Sequence, residues 1–236
     1  MRLLVTRPEA DAGRTAARLK AAGHDVLVQP LLAIRFARPP LRMERPAAIL
    51  ITSQNALRAL STWPAVKAWR GVPLFAAGSA TAAAAAAMGF SNARAGSGDA
   101  ASLAAVVAGS LTTDAGPVLY PAAHERTGGL DRDLAAKGYD VRTVEAYRAD
   151  PVTALREEVH DAIADGNLEG VLLYSRRTAE TFVQLVQAVG IGEAAAHLAY
   201  YAIAPQVGDV VAATGGRVLV AARPDEDSLM ELLAAG

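Results

Sequence analysis

The sequence predicts an α/β fold with parallel sheets and helices on both faces, and three observations predict it. Apolar runs of strand length alternate with longer segments of helical period almost throughout. Glycine closes one helical segment after another, at Gly23, Gly89, Gly138, Gly190 and Gly215, and a strand pattern resumes within a few residues of each. The order of motifs also occurs twice along the chain, so two copies of one unit are expected.

The strands are expected at 2–6, 25–36, 47–52, 73–77, 117–120, 139–148, 169–174, 198–204 and 217–221, with helices between them. The junction "LLYSRRT" at 172–178 shows the logic. An apolar run stops at Ser175, and Ala179, Phe182, Val183, Val186 and Val189 then recur at helical spacing. A strand that feeds a helix through a serine leaves bare backbone N–H groups at the turn, and Arg176 and Arg177 stand beside them.

The repeat pairs "LLVTRPEADAGRTAARLKAAGHDV" with "VLYPAAHERTGGLDRDLAAKGYDV". It also pairs "AAILITSQNALRAL" with "EGVLLYSRRTAETF", and "GDAASLAAVV" with "PDEDSLMELL", aligning Ser53 with Ser175 and Ser102 with Ser228. Two segments, 25–40 and 139–151, stay extended for longer than the usual strand of about 5–6 residues and end in proline and charge. If both cross side by side from one body to another, one domain is 1–34 plus 152–236 and the other is 38–145. The linkers then lie near 35–37 and 146–151, with a cleft between the bodies.

Composition excludes several function classes. In 236 residues, 52% are apolar and 20% charged, so the chain can bury a core. A net charge of −1 argues against a nucleic-acid binder. With no cysteine there is no disulfide, thiolate nucleophile or cysteine-held metal. No run approaches the roughly 20 apolar residues of a membrane span, and the opening "MRLLVTRPEADAG" does not have the form of a signal peptide, so a cytoplasmic protein away from membranes is expected.

The candidate site residues gather at predicted strand ends, where open parallel sheets bind ligands. They are Thr6, Ser53, Gly78, Ser79, Thr81 and Ser175, with Gln206 at the corresponding place in the second copy. Helix capping explains any one of these hydroxyls; their shared position on a repeated rim points to a ligand. Arg7, Arg126, Arg176 and Arg177 follow strand ends too, and guanidinium forks suit carboxylates; the plainer alternative is solvated surface charge, and it is the better reading for at least one of Arg176 and Arg177. His24, His124, His160 and His197 show no metal-ligand spacing, so no metal is expected. No phosphate-binding glycine loop and no serine-hydrolase elbow is present. Trp63 and Trp69 are expected to pack. Tyr147, in an expected linker, either packs or aims its hydroxyl into the cleft.

The ordered set "LLVTRP", "ILITSQNAL", "AAGSATAAAAAAMG", "GSGDAASLAAVV", "LDRDLAAKGYDVRTVEAYRAD", "VLLYSRRTAETF" and "RPDEDSLMELL" resembles the uroporphyrinogen-III synthase family. The resemblance implies two similar parallel-sheet, flavodoxin-like, three-layer domains joined by a two-stranded linker, the first discontinuous. It implies a cofactor-free hydro-lyase whose substrate is hydroxymethylbilane, a linear tetrapyrrole with acetate and propionate arms. It implies a monomer that at most meets the preceding pathway enzyme transiently. Matched by motif, Tyr147 corresponds to the family's linker tyrosine, a donor to the departing hydroxide, and Ser53, Ser79, Thr81 and Ser175 correspond to positions on the rim of the cleft. Where the second half of the family often carries a hydroxyl, this chain has Gln206 and Val207. The competing expectation is a non-enzymatic two-lobed protein that closes on a small anionic ligand. A two-domain sugar transferase is a third option, for which the chain is short.

Overall fold

Strand and helix alternate from the start in the computed structural model, which describes residues 1–39, 45–126 and 128–234. Pro40, the end of the first long extended segment, lies outside the described residues. The chain opens with β1 (Arg2–Val5), α1 (Glu9–Ala21), β2 (Asp25–Val28) and β3 (Leu32–Phe36). Next come β4 (Ala48–Ile51), α2 (Gln54–Ser61), a 3-10 turn (Pro64–Trp69), β5 (Leu74–Ala76), α3 (Ser79–Ala87), β6 (Ala93–Ala95) and α4 (Ala100–Ala108). Then follow β7 (Val118–Ala123), α5 (Leu130–Ala136), β8 (Val141–Pro151), α6 (Glu157–Ala164), β9 (Gly170–Leu173) and α7 (Arg176–Ala188). The chain ends through α8 (Gly192–Ala195), β10 (Ala199–Ala202), α9 (Pro205–Ala212), β11 (Arg217–Val220) and α10 (Glu226–Ala234).

These elements form two compact units, one of Met1–Ala33 with Asp150–Gly236, the other of Ile34–Ala149. The first has a five-stranded parallel sheet in the order β11-β10-β9-β1-β2. Alternate side chains of its strands feed two cores. Leu4, Val171, Leu173 and Tyr200 meet α6, α7 and α9, with Phe182 edge-on to Tyr200 at 5.9 Å. Leu3, Val5, Leu172 and Tyr201 meet α1 and α10 on the other face.

The second unit has the order β3-β8-β7-β4-β5-β6, with β4 to β8 all parallel. Ile49 and Ile51 pack with α2 and the turn that carries Trp63 and Trp69, and Ala48 and Leu50 pack with α4 and α5. Both tryptophans are buried, and the Trp63 indole N–H donates to the Ala37 carbonyl at 2.9 Å.

The internal repeat is visible in this topology. If β7 and β8 answer to β1 and β2, and β4, β5 and β6 to β9, β10 and β11, the two sheets have the same spatial order. Apart from the added edge strand β3, which has no counterpart in the first sheet, the second unit begins at the counterpart of β9, so one unit is a circular permutation of the other. Small contacts repeat as well. The N–H of Ser102 donates to Asp99 and that of Ser228 to Asp225, both at 2.7 Å. Each serine hydroxyl in turn accepts the backbone N–H five residues before it, from Ser97 and from Arg223.

Two expected strand limits are corrected. The segment 25–36 is two strands, because Pro30 has no N–H for a ladder and the chain breaks there. The buried Gln29 side chain uses the break: its amide donates to the Ala154 carbonyl at 2.9 Å and accepts the Arg156 N–H at 3.0 Å. Ala93–Ala95 is a strand although none was expected there. It is a three-residue edge strand with no β-branched residue, so its sequence carried no signal. The segment 139–151, by contrast, contains one strand of 11 residues. Beside it, Ala37 N–H donates to the Ala146 carbonyl and Val152 N–H to the Leu31 carbonyl, so one index rises as the other falls and the two passages run antiparallel.

Candidate functional site

In an open α/β sheet the ligand crevice lies beyond the carboxyl ends of the strands, where the strand order reverses. In the second unit that reversal falls between β4 and β7. A cavity of about 400 Å³ opens there, lined among others by Thr52, Asp99, Tyr120, Arg126, Asp131 and Tyr147.

The end of β4 supplies two consecutive hydroxyls. Thr52 Oγ1 lies 3.2 Å from the Tyr120 hydroxyl, and Ser53 Oγ lies 3.0 Å from the Tyr147 hydroxyl. Ser53 is also the N-cap of α2, its Oγ accepting the Ala56 N–H at 3.1 Å. Capping and contact with Tyr147 thus coexist in one side chain.

Tyr147 reaches this point because β8 is irregular. Ala122 pairs with Glu145, but the next residue, Ala123, pairs with Tyr147, which leaves Ala146 as the extra residue of a β-bulge. Val144, Ala146 and Tyr147 therefore all pack toward the same core, where strict alternation would send Tyr147 to the opposite face from Ala146. The Tyr147 carbonyl accepts the His124 N–H at 2.8 Å, which fixes the backbone just past the bulge.

The bulge is flanked by charge. Glu145 accepts from Arg148 at 2.6 Å and meets His124 Nδ1 at 2.7 Å. These bonds, Arg148 first, pull its carboxyl down to about 2. On the cavity wall, Arg126 donates to Asp131 at 3.0 Å, and the Thr143 hydroxyl donates to the same carboxylate at 3.0 Å. Burial pushes the Asp131 carboxyl up, but the Thr143 hydroxyl and the Arg126 guanidinium outweigh it, so it stays below its ordinary value. Asp131 therefore holds Arg126 in place as an ion pair and uses part of its fork.

Of the residues expected in this unit, Ser53, Tyr147 and Arg126 come together. Gly78 is the N-cap of α3 without a side-chain bond, Ser79 is exposed at its first position, and Thr81 is buried in the same first turn. Thr52, Asp99, Tyr120 and Asp131 were not singled out from the sequence, although Thr52 adjoins Ser53 and Asp99 is the second residue of the repeated "GDAASL" motif.

In the first unit the corresponding strand ends are those of β1, β9 and β10. Thr6 is fully buried, and its hydroxyl donates to the Leu172 carbonyl at 2.6 Å. Arg7 lies over the Tyr174 ring, 4.5 Å from its centroid, and bonds Thr15 and Glu226 at 3.1 Å each. Burial, with the Glu226 charge beside it, pushes the Tyr174 phenol up to about 12, so it stays neutral. Ser175 caps α7, accepting the Thr178 N–H at 3.1 Å. Arg176 is exposed and pairs with Glu180 at 2.8 Å, and Gln206 is exposed in the first turn of α9. Among the described residues, no group of three or more His, Asp or Glu side chains could hold a metal ion, and no helix is long and apolar enough to cross a membrane.

Solved structures with the same fold are uroporphyrinogen-III synthases. The enzyme from Helicobacter pylori 26695 matches with a TM-score of 0.69 at 18% identity, over 100% of this chain and 99% of that one. A mutant synthase from the extremely thermophilic bacterium Thermus thermophilus matches with a TM-score of 0.60 at 18% identity, over 100% and 96% of the two chains. These likenesses show the two-domain α/β fold. No curated protein matches the sequence directly. The family model described as uroporphyrinogen-III synthase HemD matches residues 13–231. By that match, which spans nearly all of its length, the chain belongs to the uroporphyrinogen-III synthase family.

Proposed function

We propose that the protein cyclises hydroxymethylbilane to uroporphyrinogen III, with loss of water and inversion of ring D. The observation that carries the reading is the family match over residues 13–231. The chemistry of the strand ends agrees with it: arginines and hydroxyls are the groups that acetate and propionate arms call for.

The reaction needs no cofactor. A donor gives its proton to the terminal hydroxyl, the C–O bond breaks with its electron pair on oxygen, and water departs, leaving a cationic azafulvene whose charge is carried by the pyrrole nitrogen. Ring D attacks through its substituted carbon, and the resulting spiro intermediate fragments and recloses with the ring inverted. The proton lost on rearomatisation balances the one first given. The protein's part is to hold the chain so that the substituted carbon is the near one, and to supply the first proton.

Tyr147 takes the donor role in this proposal, since it is one of the residues lining the cavity and its hydroxyl is held by Ser53. Arg126, Ser79, Thr81 and Gly78 in the second unit, and Ser175, Arg176 and Gln206 in the first, are assigned to the carboxylate arms. Thr6 and Arg7 support the first unit from within and are left out of that assignment, because their polar atoms are already engaged. Cytoplasmic location, a monomeric state and a transient meeting with the preceding pathway enzyme come with the family assignment and form part of the same proposal.

The test is incubation of purified protein with fresh hydroxymethylbilane and separation of the product isomers. A large excess of isomer III over the spontaneous, uninverted product is expected. Uninverted product alone overturns the reading, and tight binding without conversion favours a non-enzymatic binding protein.

A further inference from the structure

Ser53 touches both a helix N-terminus and the phenol of Tyr147, and it can serve both at once. A serine hydroxyl has one proton to donate and two lone pairs to accept with. One lone pair of Ser53 takes the Ala56 N–H at 3.1 Å, which fixes the oxygen at the end of β4. The serine proton needs an acceptor, and the Tyr147 oxygen lies 3.0 Å away. If Ser53 donates there, the phenol's own proton is not spent on serine and stays available to a molecule in the cavity, of which Tyr147 is a lining residue. If the bond ran the other way, the phenol would spend its proton on serine and have none for a substrate.

We infer that Ser53 is a positioning residue for the cyclisation, donating to Tyr147 so that the phenol proton faces the reacting hydroxyl. The inference rests on the proposed function and on Tyr147 as its donor. As the phenol proton moves toward the leaving oxygen, negative charge grows on the phenol oxygen. The bond from Ser53 then strengthens, because hydrogen bonds to charged acceptors are the stronger kind. A contact that is stronger in the transition state than in the ground state raises kcat and leaves KM alone. The bulge at Ala146 and the cap on Ala56 are what align the two oxygens, one on β8 and one at the start of α2.

The experiment compares initial rates on hydroxymethylbilane for Ser53→Gly, Ser53→Thr, Ser53→Asp, Tyr147→Phe and the double variant Ser53→Gly/Tyr147→Phe, with circular dichroism on each. Glycine removes the hydroxyl and is itself a tolerated N-cap residue. Aspartate caps as well as serine but can only accept, so it captures the phenol proton. Ser53→Gly is expected to lower kcat about tenfold with KM within about twofold, a fraction of the 10²–10⁴ that a positioned donor supplies. Ser53→Asp should lower kcat at least as far, and Ser53→Thr should restore it. In the Tyr147→Phe background, Ser53→Gly should cost nothing more.

An equal loss from Ser53→Gly in both backgrounds overturns the inference, since Ser53 then acts without Tyr147. Should the glycine variant fail to fold, Ser53→Asp decides in its place: kcat unchanged from wild type is the contrary result. Failure of the proposed function reads differently, as a wild-type protein that forms no isomer III. An active wild type with an unaffected Tyr147→Phe sinks the positioning role and leaves the function standing.

Discussion

The Arg7 guanidinium lies 3.1 Å from a Glu226 carboxylate oxygen, with both side chains about five-sixths withdrawn from solvent at 17% and 16% exposure. Arg7 also covers the Tyr174 ring and bonds Thr15, so its charge is satisfied inside the first unit. Breaking a fully buried pair costs about 3–5 kcal/mol. Here partial exposure and the neighbouring Arg14 and Arg18, 4.0 and 3.8 Å from Glu226, reduce that cost. Arg7→Ala should lower stability by about 2 kcal/mol while leaving KM near the wild-type value. Urea unfolding beside steady-state kinetics checks it. Unchanged stability with a raised KM would return Arg7 to the substrate.

Arg176 presents the opposite case. It and Arg177 occupy the first two positions of α7, where the first turn holds no acidic residue. Cations at a helix N-terminus oppose the backbone dipole by about 0.3–1 kcal/mol each. The exposed Arg176–Glu180 pair returns about 0.3–0.5 kcal/mol. Arg176→Ala should therefore leave stability within about 0.5 kcal/mol of wild type. Its KM should rise several-fold, and by more than for Arg177→Ala, because Arg176 directly follows the strand-end Ser175. Small, equal KM changes would make both arginines ordinary surface charge.

The fold class was legible because burial in a parallel sheet writes itself as unbroken apolar runs, as in β4 and β9, where all four residues are buried. The helix stops were legible too, since each of the five expected glycines has a positive φ that other residues avoid. The bulge at Ala146 was not. Nothing in "VEAYRAD" marks an extra residue, because a bulge is decided by what the neighbouring strand pairs with. The side of the sheet that Tyr147 faces was therefore out of reach of the pattern. The cavity wall was hidden for a similar reason: Asp131 and Thr143 are twelve residues apart and meet only because α5 packs beside β8. Serines at strand ends could be read as caps or as ligands, and Ser53 proves to be a cap that also touches Tyr147.

The carboxyl of Glu145 offers a test by pH. Its native value is held near 2, from an ordinary 4.5, by the bonds from Arg148 and His124. Since the native value is the lower one, whatever stability this contact contributes is complete above the unfolded value. It is lost as the pH falls from about 4.5 toward 2. Arg148→Ala should move the Glu145 midpoint upward toward the ordinary carboxylate range, as followed by carboxyl carbon NMR. A wild-type midpoint already near 4.5 would mean that the Arg148 bond does not persist in solution.

Tyr147→Phe tests how much of the reaction depends on a protein proton. Azafulvene formation is driven mainly by electron release from the pyrrole nitrogen, so the hydroxide is already inclined to leave. A positioned donor typically contributes about 10²–10⁴-fold, and the low end is expected here because water or the hydroxyl of Tyr120, another residue of the same cavity, can serve in its place. The ring itself remains in phenylalanine, so the packing of Tyr147 beside Val144 and Ala146 is kept and the fold should survive. Turnover should fall by about a hundredfold while the product stays isomer III. Isomer choice should hold because it depends on how the carboxylate arms are gripped, not on the leaving hydroxyl. The measurements are kcat and the isomer ratio, with circular dichroism to confirm folding. Unchanged turnover would make Tyr147 a packing residue, and a switch to the uninverted isomer would mean that its hydroxyl positions ring D instead.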